Sequence, residues 1–407
     1  MVVAERVRVA ALLVSVGVAF TQAASYLLNV AAARMLAPAA FGELGSLLAV
    51  LVVGAVPAMG LQTVTALRVA RTRESGQLFS LGLATSAVVT AVALAAAPLL
   101  VVLLHLGSVL PALFVAVSLT SITLIGLWYG MLQGANRFAA LAGLLACEAV
   151  GRIGGTLVGL VVFRDATAAL AGTALGALAV AALGWFVVGR PRPSRHHRGH
   201  VGEVLHAVQA MLALVLLVNL DLVLARHHLP AGEAGEYAVG AIITKIAYWL
   251  PQAVAVLVLP RFAEEASRRR LVPRALAICA GLDAVVVLGT ATAGPTVVRV
   301  VGGADYAGSS LPVWAFAVVG SLLSLTQILL FSRIASADRR STVLIWLAVG
   351  VEVLLVSLWL HDGLTEVVAA AGIATGLLVA GGALVELRSR RVEPVDAGGH
   401  DGGDGQQ

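Results

Sequence analysis

Long apolar segments, separated by short polar ones, run along almost the whole chain. A helix needs about 20 apolar residues to cross the hydrocarbon core of a membrane. The segments predict helices at roughly 7–33, 42–67, 77–105, 109–133, 138–162 and 166–189, and again at roughly 203–225, 235–260, 272–300, 309–333, 341–361 and 364–387. The pattern therefore predicts an all-α membrane protein of about 12 transmembrane helices.

One short pattern occurs twice, as LNVAAARMLAPAAFG at 28–42 and as LDLVLARHHLPAGEAG at 220–235. Two apolar helices of similar composition can look alike by chance, but here the polar loop residues match as well. We therefore expect two six-helix lobes related by an internal repeat, an organisation found in many transporters. The aligned pairs are Asn29 with Asp221, Arg34 with Arg226, Pro38 with Pro230 and, after one inserted residue, Gly42 with Gly235 and Arg68 with Arg261.

The repeat and the local composition together predict the domain boundaries. The lobes are expected at residues 1–189 and 203–388, and a basic linker rich in proline, arginine and histidine joins them at 190–202. The tail at 389–407 has no apolar periodicity, so we expect it to be a disordered cytoplasmic segment.

Composition and motifs exclude several classes of protein. Hydrophobic residues make up 59% of the chain and charged residues 12%, against roughly 25% charged residues in soluble domains. The sequence has no GxxxxGK[ST] phosphate loop, nucleophile elbow or HExxH motif. Cys147 and Cys279 lie apart within apolar segments, and the linker histidines stand among arginines that would repel a metal ion. We expect a protein that is not an enzyme and uses neither cofactor nor metal.

The basic residues are distributed unevenly across the predicted membrane. Cytoplasmic loops carry an excess of lysine and arginine, and this bias sets the orientation of a membrane protein. With the N-terminus in the cytoplasm, most of the 27 basic residues fall on that side. Both termini are therefore expected in the cytoplasm of a bacterial inner-membrane protein, and the positive net charge needs no nucleic-acid partner. The opposite side receives only Arg34, Arg164, Arg226 and Arg299.

Several charged residues lie inside predicted helices, where a charge costs about 2.5–3.5 kcal/mol on insertion scales. Lys245 lies roughly 14 Å into the eighth helix. It could contact a phosphate, or it could pair with Asp221 and only hold two helices together. Glu148 and Arg152 are four residues apart on one helix face, so they could neutralise each other or place Arg152 in a lumen. Glu352 falls near the repeat position of Glu148, which suggests a central cavity.

Small residues and prolines suggest how the helices pack. Glycines recur at four-residue spacing, a pattern that lets membrane helices approach closely. Pro57 and Pro251 fall inside the second and eighth helices, where they indicate kinks that could be either hinges or simple bends. The glycine rows are Gly126, Gly130 and Gly134; Gly151, Gly155 and Gly159; and Gly172 and Gly176.

The stretch ARMLAPAAFGELGSLLAV, followed by GLQTVTALRVAR, resembles the start of the polysaccharide biosynthesis proteins. These are the oligosaccharide flippases of the multidrug/oligosaccharidyl-lipid/polysaccharide (MOP) exporter superfamily. The family typically carries an arginine, a proline and an FG pair between its first two helices, and a basic residue closes the second helix. These places are filled here by Arg34, Pro38, Phe41, Gly42 and Arg68.

The second copy of the pattern also resembles that family. LVNLDLVLARHHLPAGEAGEYAVGA is similar to the junction between its seventh and eighth helices, where Asp221, Gly235 and Tyr237 match. LQGANRF at 132–138 looks like the loop between the fourth and fifth helices, and LPRFAE at 259–264 looks like the close of the eighth. Many family members are longer than this chain, which leaves the substrate size open. The family-motif residues of both junctions are then Arg34, Pro38, Gly42, Arg68, Arg226, Pro230 and Gly235.

The resemblance implies a flippase or exporter that moves a polyprenyl-pyrophosphate-linked oligosaccharide or polysaccharide precursor by alternating access. Its partners would be the lipid-linked saccharide, membrane lipids and glycosyltransferases or a polymerase of the same pathway. An ion-coupled multidrug exporter and a non-transporting scaffold of a glycan-assembly complex are alternatives. Arg152 and Lys245 would attract the anionic head group, and the carboxylates would tune those charges or carry coupling ions. The expected substrate pathway comprises Lys245, Arg152, Glu148, Glu352, Asp221 and Asn29.

Overall fold

The computed structural model describes residues 24–72, 75–193, 202, 204, 208–249, 265–306, 308–334 and 340–391. Most of the expected linker, the start of the first predicted helix, Pro251, Arg261, the linker histidines and the tail after residue 391 lie outside these residues. Within the described ranges the chain is α-helical and contains no β-strand.

The first half contains helix α1, which the structure describes over residues 24–35, and a bent helix formed by α2 and α3. The bend lies at Ala55, two residues before Pro57, which lacks the N–H that would bond the carbonyl of Val53. The predicted kink is therefore confirmed at Pro57. The bounds are α2 Pro38–Gly54, α3 Val56–Thr72, α4 Ser75–Leu103, α5 Leu110–Gly134, α6 Phe138–Phe163 and α7 Ala166–Val188.

The second half repeats this order of helices. Its longest helix contains a break at Ala293, two residues before Pro295. The bounds are α8 Gln209–His228, α9 Ala231–Trp249, α10 Glu265–Gly302, α11 Val313–Ile334, α12 Arg340–Leu358 and α13 Leu364–Arg391, with one 3₁₀ turn at Ala304–Tyr306.

The predicted fold class is confirmed. With α2 and α3 counted as one bent span, the described residues contain 12 helices, six in each half. Eight of the described helices are long and apolar enough to cross a membrane, and Val313–Leu329 and Thr342–Leu358 are shorter apolar segments. The chain is therefore a multi-pass membrane protein. Some helix ends differ from prediction because polar turns extend helices beyond their apolar part, as at the start of α10 and the end of α13.

The predicted glycine rows lie at the closest helix contacts of the first half. A Cβ atom built on Gly155 of α6 would lie 2.1 Å from the carbonyl oxygen of Gly172 on α7. The row on α5 packs in the same way against α3, since a Cβ on Gly130 would lie 2.5 Å from the carbonyl oxygen of Gln62. Only glycine fits at such separations, because any side chain would overlap the neighbouring backbone.

The two halves meet along α2, which contacts both α8 and α9 of the second half. Within the first half α5 contacts α3, α4 and α7, and within the second half α11 contacts α9, α10 and α13. Helices α8 and α12 also pack together, which brings the charged residues of these two spans into one region.

The α6–α7 contact yields a stability prediction. Gly155→Ala should destabilise the protein by about 1–3 kcal/mol or more, because the new methyl group overlaps the Gly172 carbonyl. Gly154→Ala is the matched control, since no atom lies within 4 Å of its Cβ position. The control should be neutral or stabilising by up to about 1 kcal/mol, the helix-propensity gain of alanine. Thermal unfolding of the purified proteins in detergent measures both, and equal melting temperatures would contradict the packing.

Candidate functional site

A buried polar cluster lies where α8, α9 and α12 meet. Asp221 of α8 is 4% exposed, and its Oδ2 accepts a hydrogen bond of 2.9 Å from the hydroxyl of Tyr237 on α9. Tyr237 is fully buried and packs edge-on against Phe316. Asn219, two residues before Asp221 on α8, donates to the carbonyl of Val215, and its buried Oδ1 has no hydrogen-bond partner among the described residues. The cluster therefore presents oxygen atoms that lack a full set of donors.

Glu352 of α12 completes this cluster. The residue is 0% exposed, and neither carboxylate oxygen has a hydrogen-bond partner in the described part of the chain. Its charge interacts with that of Asp221, because α12 packs on α8. Two interacting carboxylates that no ion pair within 4.0 Å neutralises among the described residues are costly in a membrane, so this pair can be stabilised by binding a cation or a proton.

Lys245 lies on α9, eight residues beyond Tyr237 and hence about 12 Å further along the helix. The side chain is half-buried. The charge of Lys245 interacts with that of Asp221, but no ion pair within 4.0 Å joins the two residues. Of the two roles weighed from the sequence, a direct pair with Asp221 is thus not formed, and the hydroxyl of Tyr237 occupies that carboxylate instead.

Glu148 and Arg152 form a separate pair on α6 of the first half. The Nε of Arg152 donates to Oε1 of Glu148 over 2.8 Å, and the side chains are 27% and 16% exposed for Arg152 and Glu148. The pair lies near the buried hydroxyl of Tyr129 on α5. No hydrogen bond or ion pair among the described residues connects this pair to Glu352. The two glutamates at similar repeat positions therefore have different environments: Glu148 is paired and partly accessible, whereas Glu352 is buried.

The family-motif residues gather at the contact between the halves. Gly42 of α2 and Gly235 of α9 face each other, and a Cβ on Gly42 would lie 2.9 Å from the backbone nitrogen of Gly235. Arg34 donates from its guanidinium to the carbonyl of Val300 in α10. Arg226 donates from Nε to the carbonyl of Leu104 after α4, over 3.0 Å.

The other candidates are Pro38, which lies at the same contact between the halves, and Pro230, Asn29 and Arg68. Pro38 is the first residue of α2, and Pro230 directly precedes α9, positions that proline favours at a helix start. Asn29 donates to the carbonyl of Ser25 on its own helix over 2.8 Å, unlike its repeat partner Asp221. Arg68 is half-buried on α3.

Four histidines that the sequence analysis did not single out form a row of rings. His105, after α4, stacks on His227 with ring centroids 5.6 Å apart, His227 meets His228 at 4.7 Å, and His228 meets His361 at 5.3 Å. The Nδ1 atom of His227 lies 2.9 Å from the carbonyl oxygen of Leu103. Of the four, the sequence shows only His227 and His228 as neighbours. His105 and His361 lie far from them in the sequence, so their contact with this pair could not be predicted.

A third buried carboxylate, besides Asp221 and Glu352, lies on α10. Asp283 of α10 is 3% exposed and faces the hydroxyl groups of Ser321 and Ser324 on α11. The sequence placed it in a span, but only the packing of α10 on α11 brings the two serines to it.

The Tyr237–Asp221 hydrogen bond yields a second stability prediction. Tyr237→Phe should cost about 1–3 kcal/mol, because a buried carboxylate loses its donor. Tyr306→Phe is the control, since that buried hydroxyl has no hydrogen-bond partner among the described residues, and its change should stay within about 0.5 kcal/mol. The melting temperatures of both variants in detergent measure the difference. Equal losses of stability would show that the hydrogen bond does not hold α8 to α9.

Comparison with known proteins identifies the fold. No protein-family profile and no curated protein sequence matches the chain. Among solved structures, the lipid II flippase MurJ in an inward closed conformation matches with a TM-score of 0.72 and 14% identity, over 94% of this chain and 88% of that one.

Transporters of one superfamily also match. An inward-facing multidrug resistance MATE family transporter of the MOP superfamily has a TM-score of 0.69 and 14% identity, over 90% of this chain and 95% of that one. A MOP superfamily transporter from Pyrococcus furiosus has a TM-score of 0.60 and 15% identity, over 94% and 95%. At this level of identity the likeness concerns the arrangement of helices in two lobes. The chain therefore has the fold of the MOP superfamily transporters, as the sequence resemblance implied.

Proposed function

We propose that the protein is a flippase of the bacterial cytoplasmic membrane, which translocates a polyprenyl-pyrophosphate-linked oligosaccharide or polysaccharide precursor by alternating access. The observation that carries this proposal is Lys245, a half-buried cation in a predicted membrane span that forms no ion pair with a described residue. An unpaired cation at this depth is costly, so its presence favours an anionic ligand. The similarity of the fold to a lipid II flippase supports the same class of substrate.

Arg152 supplies a second cation in the other lobe. Its partner Glu148 accepts only the Nε proton in the described structure, so the terminal nitrogens of the guanidinium can donate to a phosphate oxygen. Lys245 acts as a point charge and Arg152 as a planar donor, a combination suited to a pyrophosphate held between two lobes. Asn29, half-buried on α1, is assigned to the same pathway.

The orientation follows from the distribution of basic residues. Both termini lie in the cytoplasm, the lobes comprise residues 1–189 and 203–388, and the basic linker at 190–202 and the tail at 389–407 are cytoplasmic. Arg34 and Arg226 then lie at the outer face of the membrane. The expected partners are the lipid-linked saccharide and the glycosyltransferases or polymerase that make and use it.

The buried carboxylates Asp221 and Glu352 are assigned to ion coupling. Both are buried, and the Glu352 oxygens have no hydrogen-bond donor among the described residues. A bound proton or metal cation would lower the cost of burying two like charges that interact with each other. Release of that cation would restore the cost, so occupancy of the pair can shift the packing of α12 on α8 and hence the equilibrium between conformations.

The substrate assignment is tested in a deletion strain complemented with wild-type, Lys245→Ala, Arg152→Ala or Arg164→Ala protein. Loss of one charge-assisted contact should lower transport roughly ten- to hundredfold. Surface glycan should fall and the lipid-linked precursor should accumulate in the cytoplasmic leaflet for the first two variants. Arg164→Ala is the control, because Arg164 is an exposed residue directly after α6.

Other results would point to the alternative functions. Normal surface glycan with altered drug sensitivity in the deletion strain would indicate a multidrug exporter. A scaffold would be indicated if the deletion strain loses its surface glycan and both Lys245→Ala and Arg152→Ala restore it in full. A scaffold does not need the intramembrane cations.

The coupling role is tested in liposomes with purified protein. Glu352→Gln keeps the shape of the side chain but cannot release a proton or bind a metal cation as a carboxylate does. We expect it to retain exchange of substrate across the membrane while losing most of the stimulation by an imposed proton or sodium gradient. Glu233→Gln is the control, because Glu233 is exposed at the start of α9. Equal stimulation of all three proteins would remove Glu352 from the coupling site.

A further inference from the structure

The two copies of the repeated motif are in contact with each other. A Cβ atom on Gly235 would lie 2.0 Å from the carbonyl oxygen of Pro38, and one on Gly42 would lie 2.9 Å from the nitrogen of Gly235. One turn further along, a Cβ on Gly45 would lie 3.3 Å from the Cβ of Ala238. The N-terminal ends of α2 and α9 therefore meet backbone to backbone, and α2 belongs to one half while α9 belongs to the other.

Each motif arginine also reaches into the opposite half. Arg34 precedes α2 and donates to the carbonyl of Val300, in the last turn of α10. Arg226, in the last turn of α8, donates to the carbonyl of Leu104, directly after α4. The last carbonyl groups of a helix have no partner within it and carry the negative end of the helix dipole, so a guanidinium is favourable there.

These two contacts are reciprocal. Helices α4 and α10 are the third spans of their halves, and each is capped by the arginine of the other half. Each helix is followed by a residue of left-handed conformation, His105 with φ 50° and Gly303 with φ 89°. The backbone N–H groups of these turns bond to the carbonyls of Leu100, Val101 and Val102 in α4 and of Arg299 in α10, so the arginines of the opposite half bond to other carbonyls, those of Leu104 and Val300. The ring of His227 adds a contact to the same end of α4 through the carbonyl of Leu103.

An ordinary structural bond within a lobe would persist in every conformation of a transporter. The contacts described here join different halves, so they can exist only while the two halves are close at this end. Their separation would break one glycine crossing and two charge-assisted hydrogen bonds together, without disturbing either lobe internally. Such a set of contacts has the properties of a gate.

We propose that the two junctions, Arg34–Gly42 and Arg226–Gly235, form the gate that closes the outer end of the transport pathway, with Arg34 and Arg226 as its two latches. This inference rests on the proposed function, since it assumes alternating access and the orientation given above. The motif is then duplicated because each half contributes one glycine and one arginine to the same gate.

Disulfide cross-linking tests the contact. Gly45→Cys and Ala238→Cys are combined in a protein whose Cys147 and Cys279 are replaced by Ser, because their Cβ atoms lie near the separation of a disulfide. Oxidation should cross-link the pair and abolish transport, and a reductant should restore it. The control is Thr156→Cys with Thr173→Cys, a pair within the first lobe whose hydroxyl oxygens are 2.6 Å apart. It should cross-link without loss of transport.

Removal of the latches tests the role of the arginines. The rate at which a membrane-impermeant maleimide, added from outside, labels a single Ala238→Cys reports opening of the gate, since Ala238 is buried in the contact. Arg34→Gln and Arg226→Gln should each raise that rate about tenfold, because each loses one charge-assisted hydrogen bond. Arg164→Gln removes a charge from the same side of the membrane without touching the other lobe, and it should leave the rate unchanged.

The outcomes separate the gate from the proposed function. Cross-linking and labelling need no substrate, so they are read equally well in a Lys245→Ala protein. Failure of the Gly45–Ala238 pair to cross-link while the control pair does, or equal labelling rates in all arginine variants, would overturn the gate. A cross-link that blocks drug export in place of glycan transport would keep the gate and overturn the flippase.

Discussion

The backbone crossing of α2 and α9 at Gly42 and Gly235 determines how the two halves of the protein sit together. Because no side chain separates the helices there, their relative position is set by the backbone itself. The carbonyl ends of α4 and α10 then come within reach of Arg226 and Arg34. Lys245 lies ten residues beyond this crossing on α9, roughly 15 Å along the helix.

The protein meets the cost of charges in a membrane in three different ways. Glu148 and Arg152 neutralise each other on one helix face and stay partly accessible. Asp221 receives a hydrogen bond from Tyr237. Glu352 is buried without a hydrogen-bond donor among the described residues, and its charge interacts with that of Asp221. In the function we propose, the accessible pair on α6 would contact the anionic head group, and the buried carboxylates of α8 and α12 would bind the coupling cation.

Much of the fold could be predicted from apolar periodicity, because a helix in a membrane must satisfy its own backbone and needs a minimum length. The number of spans, the bend near Pro57 and the glycine contacts of α6 with α7 all follow from local residue types. Helix ends were less predictable, since polar turns at the start of α10 and the end of α13 continue the helix beyond the apolar segment. The role of Asn29 was not predictable from its partner Asp221, because the two bond to different groups.

The sequence by itself determined the class of protein, the doubling of its plan and the residues that are costly in a membrane, because length, spacing and charge are properties of the chain alone. Tertiary structure decided which of those residues meet. Asp221 accepts a hydrogen bond from Tyr237 and forms no ion pair with Lys245, and Glu352 is buried where its charge interacts with that of Asp221, unlike the paired Glu148. The rings of His105 and His361 also meet those of the neighbouring His227 and His228. The reason is that such partners lie on different helices, and only the close packing of those helices sets the distances between them.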